Sequence, residues 1–293
     1  MTDAQKMTLD LGGRWIGSYG CAPCPCCQPE RRRNQNALTL TDGNDGRLLL
    51  HCKKSHCSFR DILAAAGIAP GSYSPPSPAI IAQRQAEHQA EADKRSRQAR
   101  ALWDEAAPIA ATLAETYLRT RGITCAMPDT LRFHGDCWHG PTARRWPAMV
   151  ALVGGAERFA IHRTYLDPDT QGKARIKPNK MMLGCTRGGA VRLTQGQGPL
   201  VICEGIETGL SLASGLLRAP ATILATLSTS GMRALRLPAQ PRRITIATDG
   251  DDAGQNAGRD IADRAHGLGW KVSILPAPQG RDWNDILTRK GAA

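Results

Sequence analysis

The sequence predicts an α/β protein with a mostly parallel sheet in its last third. Two short apolar runs, at residues 199–203 and 243–248, have the length and flanking turn residues of buried strands. A helical pattern follows each run, at residues 206–217 and 253–268. Strands that alternate with helices are joined by right-handed crossovers, so we expect parallel strands with helices on both faces.

Acidic residues directly follow both strands. Glu204 comes after the first strand, and Asp249 and Asp251 come after the second, with Gly250 between them. Ligands of parallel sheets bind beyond the carboxyl ends of the strands, so the three carboxylates are expected at one edge. Like charges at one site are compatible when a cation neutralises them, and oxygen ligands suit Mg²⁺ or Mn²⁺. An Asp-Gly-Asp sequence is also typical of an ordinary turn. The second acidic motif, at residues 281–285, favours a metal site over a simple turn.

This pattern resembles the Toprim domain of DNA primases, topoisomerases and related nucleases, which carries Glu-Gly after its first strand and Asp-x-Asp after a later one. The resemblance implies a Rossmann-like, mostly parallel sheet. It also implies that Glu204 is the catalytic acid/base or a further metal ligand. Asp249 and Asp251 would be catalytic residues that bind Mg²⁺ or Mn²⁺, with two ions expected.

Two further positions bear on this resemblance. The motif Arg-Asp-Trp-Asn-Asp at residues 281–285 is similar to a Lys-Asp-x-Asn-Asp element of phage-type primases, which would place Asp282 near the same metals. Primases usually have an aspartate four residues after the glutamate, where this chain has Thr208. Whether the neighbouring Glu207 replaces that aspartate stays open from the sequence.

Charge and composition narrow the class of partner. The chain has 293 residues, enough for two or three domains, and a formal net charge of +12. Such a charge favours a polyanionic partner. No apolar run approaches the length of a membrane span, and residues 1–10 lack the apolar core of a signal peptide. We therefore expect a cytoplasmic protein without membrane contact, whose ten cysteines serve metal binding or stay free thiols.

Two cysteine clusters, roughly 25 residues apart, have the spacing of a zinc ribbon. The intervening residues 37–41 and 47–51 predict a hairpin, with its turn at 42–46. The sequence favours four zinc ligands but leaves four rivals. The favoured set is Cys24, Cys27, Cys52 and Cys57, and the rivals are Cys21, Cys26, His51 and His56.

This segment resembles the zinc-binding domain at the start of bacterial and phage primases. A Cys-Pro motif at residues 24–25, a His-Cys pair at 51–52, Cys57 and a helical pattern at 59–66 occur in the family's order. The resemblance implies one structural Zn²⁺ and contact with the single-stranded template. A zinc site in so small a domain is its main source of stability, so chelation is expected to unfold residues 10–68.

A Pro- and Ser-rich stretch at residues 70–78 predicts a linker, and residues 79–107 predict one long, mostly polar helix. We favour a solvated spacer helix over a nucleic-acid contact. The alternative would use a basic face made of Arg84, Lys94, Arg95, Arg97 and Arg100.

The middle region predicts a basic α+β subdomain. A helix is expected at residues 112–120 and two paired strands at 147–153 and 158–166. In primases the equivalent subdomain holds the template backbone and nucleoside triphosphates, which would assign that role to Arg163, Lys173, Lys177 and Lys180. The alternative is a solvated basic loop. Trp138 and Trp146 are expected to pack rather than to stack on bases.

The expected order is a zinc ribbon (1–68), a linker and polar helix (69–108), the basic subdomain (109–196) and the Toprim domain (197–293). This order resembles a compact primase of a phage, plasmid or other mobile element. The resemblance implies metal-dependent synthesis of RNA primers from nucleoside triphosphates on single-stranded DNA. The sequence has no Gly-x-x-x-x-Gly-Lys-Ser/Thr motif, so a separate replicative helicase is expected. The alternatives are a Toprim nuclease and a non-catalytic zinc-ribbon protein that binds nucleic acid.

Overall fold

The computed structural model describes residues 3–32, 34–43, 46–68 and 77–290. The chain forms two compact units, Met1–Glu91 and Ala92–Ala293. None of the helices in the described residues is long and apolar enough to cross a membrane.

The first unit is built on a four-stranded antiparallel sheet in the order β1-β2-β3-β4. Its elements are α1 (Asp3–Asp10), β1 (Arg14–Ile16), β2 (Tyr19–Ala22), β3 (Leu38–Asp42), β4 (Leu48–Cys52) and α2 (Phe59–Ala65). The core contains Met7 of α1, Leu38 and Leu40 of β3, and Ile62 of α2. The predicted hairpin and the helix at 59–66 are confirmed. The turn at 42–46 and the linker at 70–78 lie partly outside the described residues.

The predicted long helix is confirmed as α3, which spans Pro78–Glu105. Most of its surface is exposed, but Ala99 and Trp103 near its end are buried and pack with Val150 and Ile161. The last turns of this helix are therefore part of a core and not only a solvated spacer.

The second unit begins with an antiparallel sheet in the order β10-β8-β7-β6-β5, and β9 pairs with β8. Its elements are β5 (Ala107–Pro108), α4 (Leu113–Thr120), β6 (Leu131–His139), β7 (Arg144–Val153), β8 (Ala160–Asp167), β9 (Gly172–Lys173) and β10 (Lys180–Leu183). The predicted α+β character of this region is confirmed.

The last sheet has five strands in the order β11-β13-β12-β14-β15. The strands are β11 (Val191–Thr194), β12 (Leu200–Cys203), β13 (Thr222–Ala225), β14 (Arg243–Thr248) and β15 (Lys271–Pro276). The helices are α5 (Ile206–Ser211), α6 (Thr229–Ala234), α7 (Asp252–Gly267) and α8 (Trp283–Lys290). Strands β12 to β15 run parallel, and only β11 is antiparallel to its neighbour, which confirms the predicted mostly parallel sheet.

Both faces of this sheet are covered, which explains why its strands are continuously apolar. Val201 of β12 belongs to a cluster that includes residues of α4 and α5, such as Leu118 and Leu210. The next residue, Ile202, belongs to a second cluster with Ile261 of α7. Successive side chains of a strand point to opposite faces, so helices pack on both sides.

The helix predicted at 206–217 is interrupted. Helix α5 ends at Ser211, and a π-helical turn spans Leu212–Leu216. In that turn Gly215 has a φ of 103°, and the Ser214 Oγ donates to the carbonyl of Leu210 at 2.8 Å. The same Oγ accepts the backbone N–H of Thr124 at 3.0 Å. A tertiary hydrogen bond of this kind is not visible in a helical periodicity, which is why the sequence did not indicate the break.

Candidate functional site

The carboxyl ends of β12 and β14 lie side by side and carry the predicted acidic residues. The two strands pair in parallel, with Cys203 opposite Ala247. Glu204 follows Cys203 directly, and Asp249 follows two residues after Ala247. The register therefore delivers the two side chains to the same edge of the sheet, as expected from the sequence.

The loop after β14 is held against the segment that precedes α8. The N–H of Gly250 donates to the carbonyl of Arg281 at 2.8 Å, and the N–H of Gly280 donates to the carbonyl of Gly250 at 2.8 Å. This pairing brings Asp282 to the same edge, where its charge affects the pKa of Asp249.

Glu204, Asp249, Asp251 and Asp282 form what we call the acidic edge of the sheet, and its electrostatics favour a cation. Burial raises the pKa of Asp249 to about 6, and the charges of Glu204, Asp282 and Asp251 raise it in the same direction. Burial and the charge of Asp251 also raise the pKa of Glu204. Carboxylates that destabilise one another in this way are stabilised by a divalent cation, and an all-oxygen donor set fits Mg²⁺ or Mn²⁺.

The acidic side chains do not form one compact cluster of donor atoms. Among the described residues, the only group of three or more His, Cys, Asp or Glu side chains with donor atoms all within 4.8 Å of one another is made of cysteines. Magnesium binds one or two carboxylates and keeps several water or phosphate ligands, so it does not require a compact cluster of acidic side chains.

Two of the four carboxylates also cap helices. The Asp251 Oδ1 accepts the N–H of Gly254 at 2.6 Å, which makes Asp251 the N-cap of α7. Asp282 and Asp285 cap α8 reciprocally, because each side chain accepts the other residue's backbone N–H, at 2.8 and 3.2 Å. A cap uses one carboxylate oxygen and leaves the second for other ligands.

Thr208 and Glu207 have different roles at this edge. The Thr208 Oγ1 donates to the Asp249 Oδ1 at 3.3 Å. The Glu207 side chain, only 7% exposed, instead accepts from the Tyr117 hydroxyl at 2.8 Å. Glu207 is therefore engaged with a neighbouring helix, and Thr208 occupies the position next to Asp249.

Two of the predicted phosphate-binding lysines converge on Glu207. The Lys173 Nζ lies 2.9 Å from its Oε1 and the Lys180 Nζ lies 3.3 Å from its Oε2. Burial would raise the pKa of Glu207, but the charges of Lys180 and Lys173 outweigh burial and hold that pKa well below its usual range. The charge of Lys180 also acts on Glu204, where it partly offsets the rise in pKa.

The other two predicted basic residues are placed differently. Arg163 is buried, and its guanidinium donates to the carbonyls of Trp138 and Met182 at 3.3 and 3.4 Å. The Arg163 guanidinium is therefore not available at the surface for the nucleic-acid contact expected of it. Lys177 is exposed, in the loop between β9 and β10.

The two tryptophans of the basic subdomain differ in their surroundings. Trp146 is partly buried and packs with Cys137, Ala148 and Tyr165, as expected. Trp138 is 49% exposed near the end of β6, so the packing expected for it is wrong.

The first unit brings together the four favoured cysteines. The Sγ atoms of Cys24, Cys27, Cys52 and Cys57 all lie within 4.8 Å of one another. Four thiols at this spacing fit a tetrahedral structural zinc site. The rival residues of the two clusters, Cys21, Cys26, His51 and His56, are outside this group.

Backbone N–H groups favour the thiolate at one cysteine of the cluster, whereas burial raises the pKa of Cys24 and Cys57. Burial raises the pKa of Cys52, but the N–H groups of Ser55, Cys57 and Lys54 outweigh burial and lower it to about 6. A low pKa favours the thiolate that zinc binds. The buried Gln28 amide oxygen accepts from Cys24 N at 3.2 Å and from Ala37 N at 3.0 Å, which fixes the first cluster. Nothing in the sequence pattern marks Gln28 for this role.

Comparison with known protein families agrees with this architecture. Residues 199–293 match the Toprim domain family, and residues 93–193 match a domain of unknown function (DUF7146). The Toprim domain indicated by the sequence motifs is therefore confirmed. A comparison with curated proteins finds no match.

Several solved primase structures are similar to the chain at low identity. The zinc-binding and RNA polymerase domains of the Aquifex aeolicus primase are 13% identical over 99% of this chain and 83% of that chain, with a TM-score of 0.44. The RNA polymerase domain of the Mycobacterium tuberculosis primase, in complex with double-stranded DNA, is 15% identical over 67% and 75%, with a TM-score of 0.40. The primase fragment of the bacteriophage T7 primase-helicase protein is 14% identical over 93% and 95%, with a TM-score of 0.35. These likenesses are too distant to assign a function.

Proposed function

We propose that this protein is a DNA primase-like nucleotidyltransferase that synthesises short RNA primers on single-stranded DNA. The observation that carries the proposal is the acidic edge of the Toprim sheet. There Glu204 and Asp249 follow adjacent parallel strands, Asp282 influences the pKa of Asp249, and the charge of Lys180, which contacts Glu207, acts on Glu204. A site that opposes carboxylates and ammonium groups in this way fits a metal-bound triphosphate.

In this proposal Asp249, Asp251 and Asp282 would hold two Mg²⁺ or Mn²⁺ ions, with Glu204 as a further ligand or as the base. Such cations supply charge stabilisation at phosphoryl oxygens and favour a deprotonated hydroxyl. Burial raises the pKa of Glu204, which makes its carboxylate a stronger base towards the attacking 3′-hydroxyl.

Lys173 and Lys180 would contact the triphosphate. The two ammonium groups share the single carboxylate of Glu207, so the trio carries a net positive charge beside the acidic edge. Phosphate oxygens can accept hydrogen bonds from the ammonium groups and balance their excess positive charge. Lys177, exposed on the same loop, would contact the template backbone.

The four segments of the chain would each have a role in this function. Residues 1–68 would form the zinc domain that contacts the template, 69–108 the connection, 109–196 the basic subdomain and 197–293 the catalytic domain. The protein would act in the cytoplasm during replication of a phage, plasmid or other mobile element, beside a separate replicative helicase. Its net charge of +12 supports a polyanionic partner.

The test is an assay of the purified protein on circular single-stranded DNA with four labelled ribonucleoside triphosphates and Mg²⁺ or Mn²⁺. Short labelled RNA that requires both template and metal is the expected result. Metal-dependent breakdown of the template when nucleotides are omitted would replace the proposal with a nuclease. DNA binding with neither reaction would indicate a non-catalytic role, for which Thr208 in place of an aspartate is the favouring feature.

A further inference from the structure

The side chain of Thr208 is buried against the acidic edge. Thr208 lies in the first turn of α5 and is only 3% exposed. Its Oγ1 donates to the Asp249 Oδ1 at 3.3 Å, between residues that are 41 positions apart in the chain. The hydrogen bond therefore joins the start of α5 to the loop after β14.

Backbone hydrogen bonds hold the segments on both sides of this contact. The carbonyl of Glu204 accepts the N–H of Leu227 at 2.8 Å, and the carbonyl of Gly205 accepts the N–H of Gly209 at 3.0 Å. Beyond Asp249, the N–H of Gly250 donates to the carbonyl of Arg281. The terminal torsion of an aspartate side chain is soft, so the Thr208 hydroxyl acts on the freedom that remains, which is rotation of the carboxylate.

A hydroxyl suits this position better than a further charged group would. The charges of Glu204, Asp282 and Asp251 already act on Asp249. Thr208 adds no charge to these four carboxylates and donates a hydrogen bond to one of them. Such a bond favours the ionised carboxylate, which is the form that binds a cation. It engages Oδ1 and leaves Oδ2 for a cation.

We propose that Thr208 is a positioning residue that orients the Asp249 carboxylate for a divalent cation. A ligand that is held in one orientation before the ion arrives loses less freedom on binding, so the contact should increase the affinity for the ion. The assignment of Asp249 as a cation ligand rests on the proposed function, but the orienting contact precedes any joining of nucleotides. In this role Thr208 supports a functional site and not a degenerate one.

Binding of Mn²⁺ to the zinc-loaded protein, without DNA or nucleotides, tests this proposal. Electron paramagnetic resonance of free Mn²⁺ would compare the wild type with Thr208→Val, which keeps the side-chain shape, and Thr208→Ser, which keeps the hydroxyl. We expect Thr208→Val to raise the Kd for Mn²⁺ by about 10-fold or more, because loss of a group that orients a metal ligand has an effect of this size. Thr208→Ser should bind Mn²⁺ nearly as the wild type does.

The matched control is Thr130→Val. Thr130 is also buried, at 8% exposed, and its Oγ1 donates to the carbonyl of Arg192 on β11 at 2.6 Å. This variant therefore loses a buried hydroxyl and its hydrogen bond but no contact with a carboxylate. Its affinity for Mn²⁺ should equal that of the wild type.

A double-mutant cycle shows whether Thr208 acts through Asp249. Urea unfolding without Mg²⁺ or Mn²⁺ would compare Thr208→Val, Asp249→Ala and the double variant. If the hydroxyl stabilises the Asp249 side chain, the double variant should lose less stability than the two single losses added together. Additive changes would mean that the two side chains are not coupled, which would overturn the proposal.

Three results of the Mn²⁺ measurement would also overturn the proposal. They are wild-type affinity in Thr208→Val, an equal loss of affinity in Thr208→Ser, and an equal loss in Thr130→Val. A wild type that does not bind Mn²⁺ would overturn both this proposal and the proposed metal site. Mn²⁺ binding that depends on Thr208, together with failure of primer synthesis, would overturn only the proposed function.

Discussion

The carboxylate of Glu207 organises the buried charges beside the acidic edge. It receives two ammonium groups and the hydroxyl of Tyr117 while its side chain is only 7% exposed. Burial of a carboxylate is unfavourable unless its charge is paired, and here the lysines outweigh that cost. Glu207 therefore fixes the orientation of both lysine side chains.

Replacement of Glu207 by Gln should destabilise the protein by about 2 kcal/mol, less than for a fully buried pair because both lysines retain solvent contact. Urea unfolding at neutral pH measures the change. The control Glu115→Gln breaks a more exposed ion pair with Arg119 and keeps an oxygen that can accept the N–H of Ala111, so it should cost clearly less. Similar losses for the two variants would show that the Glu207 contacts contribute no more than a surface ion pair.

His162 makes the stability of the second unit depend on pH. Burial lowers its pKa to about 4, with help from the charge of Lys180, against an ordinary value of 6.5. Between these values the unfolded state binds a proton that the folded state does not. Stability therefore falls as the pH drops from 6.5 towards 4, by up to about 3 kcal/mol.

His162→Met should remove this acid-dependent loss, whereas substitution of the exposed His88 by Gln should leave it unchanged. Chemical unfolding at pH 7, 5.5 and 4.5 measures the slope. If His162→Met loses stability with falling pH as steeply as the wild type does, the histidine is not responsible.

Some of these residues could be predicted and others could not, for a physical reason. Glu204, Asp249 and Asp251 each follow an apolar run, so strand position alone places them at one edge. The partners of Glu207 lie on α4, β9 and β10, and their approach depends on how two sheets pack. No local pattern carries that information.

The turn after β14 depends on close contact with the segment that precedes α8. A Cβ built on Gly250 would lie 2.0 Å from the carbonyl oxygen of Pro278 and 2.9 Å from that of Arg281. Because both are backbone atoms, a side chain at this position must push the two loops apart. Asp249, Asp251 and Asp282 would move with them.

Gly250→Ala should therefore reduce metal-dependent synthesis by about 10-fold or more, since small displacements of catalytic groups are costly. The matched control is Gly267→Ala, where a Cβ would meet nothing within 4 Å. That variant should keep full activity, and its Tm should stay equal or rise. Wild-type activity of Gly250→Ala would mean that the contact between the loops does not set the geometry of the site.

Elements were easier to predict than their ends. The two strands predicted at 199–203 and 243–248 and the helix predicted at 253–268 were each found within a residue of these bounds, because their apolar patterns are strong. The break after α5 was missed because it depends on Ser214 binding the backbone of Thr124, a contact between distant parts of the chain. The exposure of Trp138 was missed because an aromatic residue on a strand is compatible with either face.

The two units should differ in their response to loss of metal. The core of the first unit is small and surrounds four cysteines, so bound zinc would supply much of its stability. Treatment with a zinc chelator should make the unit Met1–Glu91 sensitive to trypsin while a fragment within Ala92–Ala293 stays resistant. Mass spectrometry of the fragments gives the result.

Cys27→Ser should reproduce this sensitivity and lower the zinc content, whereas Cys26→Ser should change neither. The two residues are neighbours, but only Cys27 belongs to the cluster. Equal zinc content in both variants, or a first unit that stays resistant without zinc, would contradict a structural metal at this cluster.

The proposed function requires that the acidic edge of the Toprim sheet hold the cations at which nucleotides are joined. The most direct measurement is primer synthesis by Asp249→Asn beside Asp252→Asn, at several Mg²⁺ concentrations. Asp249 is preferable to Asp251, because Asp251 also caps α7, and Asp252 is an exposed neighbour. We expect Asp249→Asn to lose about 100-fold or more in rate and Asp252→Asn to remain near the wild type. Synthesis by Asp249→Asn at the wild-type rate and Mg²⁺ dependence would show that the chemistry does not occur at this edge.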